Sequence, residues 1–269
     1  MSEHTKISIL GCGNIGLSIA KGLLASKTFL PENILATKRS LSDVEELQKL
    51  KLTILHDNLL ACQKSDTIII CVTPNQLPSL LTDLKEIDFS SKTLISVVSG
   101  VTSAYFYEKL GHELPLVRAM PNTASAFLES MTCLSASSDK SSSLEKAQAL
   151  FKQLGTTLVI DESQMESSTA LGACGIAFFL RAIRAASQGG IEIGFHSKEA
   201  LEIATQTAKG AATLLKNHPN HPEAEIDRVT TPQGATIAGL NEMEHQGLSS
   251  ALIKGIITSA KKISDIFKG

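Results

Sequence analysis

Three glycines near the start of the chain have the spacing of a phosphate-binding turn. Gly11, Gly13 and Gly16 follow the apolar run of residues 6–10, and residues 17–24 then take up helical spacing. A strand, a G-x-G-x-x-G turn and a helix, in this order, form the dinucleotide-binding fingerprint. The first glycine permits the tight turn, the second lets the backbone approach a pyrophosphate, and the third lets helix and strand pack closely. We therefore predict a dinucleotide site on the unpaired N–H groups of the new helix, formed by Gly11, Gly13, Asn14, Ile15 and Gly16.

The end of the second predicted strand indicates which dinucleotide binds. Thr37, Lys38, Arg39 and Ser40 stand about twenty residues past the last glycine, where an NAD enzyme usually has Asp or Glu for the ribose 2′-hydroxyl. No acid is present there to repel a 2′-phosphate, and two cations and two hydroxyls are available to bind one. We predict NADP(H) as the cofactor, with NAD(H) as the second candidate and Thr37, Lys38 and Arg39 as ligands. A solvated turn is the other interpretation of the two cations.

Further candidate residues lie where other predicted strands end. Through residue 161, short apolar runs alternate with helical patterns, which predicts an α/β fold with a doubly wound parallel sheet. Ligands of such sheets bind beyond the carboxyl ends of the strands. We therefore add to the cofactor site Thr73, Pro74, Ser99, Gly100, Met120, Pro121 and Asn122.

The character of the sequence changes at Asp161, after which no clear strand follows. Small residues crowd positions 170–177 of a predicted helix, which would let another helix approach closely. Gly189 and Gly190 mark a candidate break, although residues 191–193 could still continue the helix up to Gly194. Ser197 is a candidate helix cap. So short a helical segment is not expected to bury its apolar faces alone. We predict an NADP(H)-binding domain over 1–161 and a helical domain over 162–269 that forms a homodimer or a higher homo-oligomer.

Composition narrows the class of protein further. A net charge of −2 gives no reason to expect nucleic acid or an anionic membrane as partner. Five cysteines, without a C-x-x-C pair, indicate reduced thiols in the cytoplasm and no zinc site, and the histidines lack the accompanying ligands of any metal. The N-terminus lacks a signal-peptide core, and the longest apolar run, residues 171–180, is half a membrane span.

Three sequence blocks resemble the pyrroline-5-carboxylate reductase family. They are GCGNIG at residues 11–16, RAMPNT at 118–123 and VTTPQGATIAGL at 229–240. The resemblance implies a Rossmann domain followed by a helical dimerisation domain, with an active site between one subunit's Rossmann domain and the partner's helical domain. It also implies reduction of the cyclic imine 1-pyrroline-5-carboxylate to L-proline with a nicotinamide cofactor.

The resemblance also implies roles for individual residues. Met120-Pro121-Asn122 would lie near the nicotinamide. The N–H groups of Gly234, Ala235 and Thr236 would hold the substrate carboxylate, and the Thr236 hydroxyl would bond the ring nitrogen. A helix cap is the other interpretation of Thr236, because threonine is a preferred cap residue. An ion pair is the other interpretation of Arg118.

Several positions depart from the family pattern. Thr73 replaces a usual lysine, and Cys174 and Ile176 lie in a segment that usually reads S-G-S-G-P-A-Y. Leu128, Ser130 and Gln233 replace usual glycines, and Pro219 a frequent acid. These changes bear on substrate preference.

Two alternatives to the reductase remain open from the sequence. A divergent NADP(H)-binding regulatory protein would explain the departures from the family pattern. A β-hydroxyacid-type dehydrogenase shares the plan of domains, but it needs a lysine on the first long helix of the second domain. Residues 163–187 contain Arg181 and Arg184 but no lysine.

Overall fold

A computed structural model describes residues 5–38, 45–136, 141–218 and 220–265. Within these ranges the strands are β1 (Ile7–Leu10), β2 (Ile34–Thr37), β3 (Thr53–Leu55), β4 (Thr67–Ile70), β5 (Thr93–Ser96), β6 (Leu116–Met120), β7 (Ser130–Ala136) and β8 (Gly155–Val159). The helices are α1 (Asn14–Ala25), α2 (Glu45–Lys49), α3 (Asn58–Gln63), α4 (Leu77–Asp83), α5 (Ser103–Leu110), α6 (Ser141–Lys152), α7 (Met165–Ser168), α8 (Gly175–Glu192), α9 (Ser197–Asn217), α10 (Pro222–Arg228), α11 (Ala235–His245) and α12 (Leu248–Asp265).

The described strands form one sheet in the order β3-β2-β1-β4-β5-β6-β7-β8. This confirms the doubly wound α/β sheet, with one correction: β6 and β7 are antiparallel, whereas every other neighbouring pair is parallel. Residues 121–129 connect β6 to β7 through a 3₁₀ turn, Thr123–Phe127, and a parallel crossover needs a longer connection that usually contains an α-helix. The chain therefore reverses direction at this point.

Apolar side chains cover both faces of the sheet. Every residue of β1 and β4 is buried, as expected for central strands with helices on each side. Two clusters of buried residues result, one against α1 and α6 and the other against α4 and α5. The carboxyl ends of β1, β2, β4, β5 and β6 all lie at the same edge, because these strands are parallel.

Helix α1 lies unusually close to its neighbours along one face. Its buried residues include Gly16, Ala20 and Leu23, which repeat at helical spacing. Gly22 lies against the turn Thr123–Phe127, where an added Cβ would overlap the Ser125 carbonyl oxygen and come within 2.8 Å of Leu154 Cδ2. Helix α1 can therefore pack this closely only with glycine at position 22.

The second half of the described chain is helical, as predicted. A nearly continuous helical stretch begins with the 3₁₀ turn Glu162–Gln164 and α7, passes through a π-helical turn at Thr169–Ala173 and ends with α8. By its contacts the chain divides into two compact units. One contains the residues up to Ala173 and the end of α12 from Ser259, and the other is Cys174–Thr258.

Helix α8 runs on to Glu192, so the candidate break at Gly189 and Gly190 is wrong and the alternative, a helix that continues towards Gly194, is correct. An added Cβ at Gly190 would lie 3.0 Å from Ala200 Cβ, so this glycine lets α8 and α9 cross closely. The predicted cap at Ser197 is also displaced by one residue. His196 is the cap of α9, and its N–H donates to Glu199 Oε2 at 3.1 Å.

The helical unit has almost no core of its own. Among the described residues of Cys174–Thr258, the buried ones are Gly175, Ser187 and Ala200. Large apolar side chains such as Phe179 and Ile193 are instead 67% and 78% exposed. The helical stretch Glu162–Glu192 is also long and apolar enough to cross a membrane by length and composition alone. This stretch is longer than the run at 171–180 on which the sequence prediction relied.

We expect Gly22→Ala to lower the free energy of unfolding by roughly 1–3 kcal/mol, because overpacking forces α1 away from the turn Thr123–Phe127. Thermal unfolding of the protein without cofactor measures this as a lower Tm. Gly13→Ala is the matched control, since its added Cβ meets no atom within 4 Å. A Tm for Gly22→Ala equal to that of the control would show that α1 does not depend on this contact.

Candidate functional site

The glycine turn between β1 and α1 has the geometry that the sequence predicts. Gly11 has a φ of +87°, a left-handed conformation, and an added Cβ would lie 2.7 Å from Val72 Cγ1. An added Cβ at Gly16 would lie 2.9 Å from the Gly11 carbonyl oxygen and 3.1 Å from Ile9 Cγ2. The turn and the close packing of α1 on β1 therefore both require glycine.

The start of α1 is open to an anion. Gly13 is the N-cap residue of α1, and no side chain accepts a hydrogen bond there. An added Cβ at Gly13 would meet nothing within 4 Å, which leaves space beside the backbone. The first turn of α1 contains no acidic residue. Its first N–H groups, at Asn14 and Ile15 among others, therefore face a space that suits a phosphate group.

Thr37, at the end of β2, holds the glycine turn in place. Its hydroxyl accepts a hydrogen bond from the Gly11 N–H at 3.1 Å, and its carbonyl accepts one from the Cys12 N–H at 2.8 Å. Thr37 is only 3% exposed, so its main contacts are with the turn itself.

Lys38 follows Thr37 in the sequence and carries a positive charge that affects Cys12 of the glycine turn. Burial raises the pKa of the Cys12 thiol to about 12, and the nearby Lys38 ammonium acts in the opposite direction. The Lys38 charge therefore acts on the side chain of Cys12 within the glycine turn. Arg39 lies outside the described residues.

The ends of β4 and β5 are tight turns. The Thr73 N–H and hydroxyl both donate to Gln76 Oε1, at 3.1 and 3.0 Å, and Pro74 opens the 3₁₀ turn that follows. Gly100, after Ser99, has a φ of +77°. These segments lie at the same edge of the sheet as the glycine turn.

The end of β6 and the residues directly after it are buried. Met120 and Asn122 are 5% and 6% exposed. Asn122 Oδ1 accepts from the Ala124 N–H at 3.0 Å, and its Nδ2 donates to the Gly172 carbonyl oxygen at 3.0 Å. The side chain of Asn122, like those of Thr37 and Thr73, therefore makes hydrogen bonds within the protein.

Arg118 forms a buried ion pair, which was one of the two interpretations of this residue from the sequence. Arg118 Nη1 lies 3.0 Å from Glu162 Oε1, and the same oxygen accepts from the Ser103 N–H at 2.7 Å. Burial lowers the pKa of Arg118, against the effect of the carboxylate. Burial alone would raise the pKa of Glu162, but the hydrogen bonds from Ser103 and the Arg118 charge outweigh it and lower that pKa. The pair joins β6, α5 and the start of the helical stretch.

The predicted substrate segment forms the start of α11. Gly234 is the N-cap residue, without a side-chain hydrogen bond, and an added Cβ would lie 2.9 Å from the Thr231 carbonyl oxygen. Thr236 is the second helical residue, so its interpretation as a helix cap is wrong. The Thr236 side chain is exposed. Gln233 has a φ of +60°, a left-handed conformation that explains the usual glycine. Pro219 lies outside the described residues.

Candidate metal ligands and cysteine thiols are also present in the described parts of the chain. Among the described residues, no three His, Cys, Asp or Glu side chains are grouped as a metal site. Burial raises the pKa of Cys62 to about 12 and also raises that of Cys71, which disfavours the reactive thiolate of both residues.

Comparison with known proteins assigns these features to a class. Residues 6–100 match the family model described as NADP oxidoreductase, coenzyme F420-dependent, and residues 162–266 match the model described as Pyrroline-5-carboxylate reductase dimerisation. The fold and the glycine turn thus define a dinucleotide-dependent oxidoreductase with a helical oligomerisation region.

Two relatives are similar over nearly the whole chain. Pyrroline-5-carboxylate reductase 1 of Dictyostelium discoideum is 50% identical over 97% of this chain, which spans 50% of that relative's length. Pyrroline-5-carboxylate reductase 2 of the same organism is 45% identical over 98% of this chain and 94% of the relative. The chain belongs to the pyrroline-5-carboxylate reductase family. The structure of Plasmodium falciparum pyrroline carboxylate reductase with NADP bound shares the fold, with a TM-score of 0.90 and 23% identity over 98% of both chains.

We expect Glu162→Gln to destabilise the protein at pH 7 by roughly 2 kcal/mol, because it leaves Arg118 buried without a counter-charge. The folded protein holds the Glu162 pKa below its unfolded value, so this stabilisation is present above the unfolded pKa and is lost as the pH falls through the folded one. The difference in Tm between variant and wild type should therefore shrink below about pH 4.

Glu108→Gln is the matched control for this variant, because it removes a carboxylate from the exposed pair with Lys109. We expect no measurable change of Tm for this control, either at pH 7 or below about pH 4. A Glu162→Gln effect as small as that of the control would contradict the structural role of the buried pair.

Proposed function

We propose that this chain reduces 1-pyrroline-5-carboxylate to L-proline, with NADPH as the hydride donor. The observation that carries the proposal is the match to a pyrroline-5-carboxylate reductase over 98% of this chain and 94% of the relative. In this proposal residues 1–161 bind the cofactor, and residues 162–269 form the dimer and bind the substrate.

The residues at the carboxyl edge of the sheet fit a bound dinucleotide. Gly13 leaves room for a pyrophosphate, and the unpaired N–H groups at the start of α1 would hold it. Lys38 would pair with a 2′-phosphate, which favours NADPH over NADH. When bound, the reduced nicotinamide supplies a hydride, and Pro74, Gly100 and Met120 belong to the turns that would surround its ring.

The start of α11 fits the substrate carboxylate. The first N–H groups of this helix, at Ala235 and Thr236, lack helical partners, and Gly234 carries no side chain to cover them. A carboxylate there would also gain from the positive end of the helix dipole. The left-handed conformation of Gln233 preserves the turn that a glycine would make, so the substitution leaves this backbone arrangement intact.

Thr236 is the residue that we assign to the reacting nitrogen. Within the described parts of the chain its hydroxyl makes no hydrogen bond, and the side chain is exposed. A protonated cyclic imine accepts hydride at its carbon more readily than a neutral one. A hydroxyl beside the nitrogen would orient the substrate and would form a hydrogen bond with the amine as it forms.

An assay of NADPH oxidation tests the function directly. With 1-pyrroline-5-carboxylate we expect turnover and L-proline as the product, and other cyclic imines added in parallel define the preference. Hydroxyacids with NADP⁺ test the dehydrogenase alternative. Tight NADPH binding without turnover on any of these substrates would favour the regulatory alternative and contradict the proposal.

We expect Thr236→Ala to lower kcat at least tenfold with little change in NADPH binding, because the hydroxyl acts on the substrate and not on the cofactor. Thr236→Ser keeps the hydroxyl and should retain most of the activity. Steady-state kinetics and NADPH fluorescence titration measure the two effects. Unchanged turnover of the alanine variant would exclude this role.

We expect Lys38→Ala to raise the KM for NADPH at least fivefold and to leave the KM for NADH within twofold, because NADH has no 2′-phosphate. Lys64→Ala, an exposed lysine at the end of α3, is the control and should change neither constant. Equal effects of Lys38→Ala on the two cofactors would show that this lysine does not bind the 2′-phosphate.

A further inference from the structure

Asn122 lies where three parts of the first compact unit meet. It follows the end of β6, caps the turn Thr123–Phe127, and reaches the π-helical turn Thr169–Ala173. The side chain is nearly buried, at 6% exposure for the residue. A polar side chain in such a place needs all its hydrogen bonds within the protein.

The carboxamide of Asn122 meets a donor on one side and an acceptor on the other. Its Oδ1 faces the Ala124 N–H and its Nδ2 faces the Gly172 carbonyl oxygen, each at 3.0 Å. These two partners fix the orientation of the amide, because the reversed amide would place like groups together at both contacts.

The backbone of Asn122 is held as firmly as its side chain. Its N–H donates to Ser130 Oγ at 3.1 Å, and its carbonyl oxygen accepts from the Ser125 hydroxyl at 2.7 Å and from the Ser125 N–H at 3.1 Å. Ser130 is 1% exposed and its hydroxyl also lies 3.3 Å from Thr132 Oγ1. The hydroxyl of Ser130 is therefore part of the same buried network.

The parts that Asn122 joins are those that the proposed reaction has to align. The turn Thr123–Phe127 packs against Gly22 of α1, the helix whose first turn would hold the phosphates. Met120 and Pro121 precede Asn122 at the edge of the sheet where the nicotinamide would lie. The π-helical turn is the last part of this unit before Cys174. π-helical turns within α-helices are frequent at functional sites.

We propose that Asn122 is a positioning residue for hydride transfer, whose carboxamide fixes the π-helical turn Thr169–Ala173 to the end of β6. This role rests on the proposed function. It replaces the direct cofactor contact predicted for the Asn122 side chain, because that side chain is already paired. Loss of the bond to Gly172 would loosen the geometry of the reacting groups without removing a cofactor ligand.

Two variants isolate the bond. Asn122→Asp keeps an oxygen for the Ala124 N–H but places a second oxygen against the Gly172 carbonyl. Asn122→Ser keeps a helix-capping hydroxyl and is too short to reach Gly172. Asn217→Asp is the matched control, because Asn217 Nδ2 also donates to a backbone carbonyl, that of Thr213 at 2.9 Å, on an exposed helix.

Kinetics and hydrogen exchange are measured on each full-length variant. We expect both Asn122 variants to lower kcat at least tenfold and to leave the KM for NADPH within twofold. In the protein without substrate, amide exchange over residues 169–175 should be at least tenfold faster. The control variant should match wild type in both measurements. Where Asn122→Asp does not fold, Asn122→Ser decides.

A tenfold higher KM for NADPH at unchanged kcat would assign Asn122 to the cofactor and overturn the proposal. Wild-type kcat and wild-type exchange in the folded variants would overturn it as well. A wild-type protein that does not reduce the imine would refute the proposed function instead. In that case the exchange experiment still shows whether the bond to Gly172 holds the π-helical turn.

Discussion

The close approach of α1 to the sheet is the constraint on which the rest of the structure depends. Gly16 brings the helix against Ile9 of β1, and Gly22 brings its other end against the turn that follows β6. Any side chain at either position would push α1 away, and with it the N–H groups that would receive a phosphate. The cofactor site and the packing of the first unit therefore depend on the same backbone contacts.

The departures from the family pattern change less of the backbone than the sequence suggests. Leu128 and Gln233 replace glycines and have φ values of +63° and +60°. Each remains in the left-handed conformation, at a cost of about 1–2 kcal/mol for a residue with a side chain. The turns before β7 and before α11 are therefore kept, and what changes is the side chain that each turn carries. At Ser130 the added side chain itself makes a new contact, because its hydroxyl accepts a hydrogen bond from the Asn122 N–H.

The sequence was sufficient for features that depend on near neighbours. The conformational role of Gly11, the packing role of Gly16 and the two-sided burial of β4 follow from local spacing and residue type. The antiparallel direction of β7 does not follow from local spacing. It depends on the path of residues 121–129, which form a 3₁₀ turn and contain no crossover helix. Gly190 similarly looked like a helix break, although its function is a contact with α9.

The polar contacts around the site were beyond sequence reasoning for a related reason. Glu162 pairs with Arg118 across 44 residues and Asn122 with Gly172 across 50, and neither pair has a local signature. The role of Thr236 as a helix cap could be decided only once Gly234 was seen to begin α11.

In the proposed function, as the family resemblance implies, the cofactor half of each site would come from one subunit and the substrate half from its partner. Mixing two variants of low activity tests it most directly: Gly13→Glu, which blocks the phosphate site, and Thr236→Ala, which lacks the proposed catalytic hydroxyl. If the halves come from different subunits, random exchange gives half mixed dimers with one intact site of two, so about one quarter of wild-type NADPH oxidation should return. If each site is built from one subunit, the mixture should stay as low in activity as the separate variants, and the account would be contradicted.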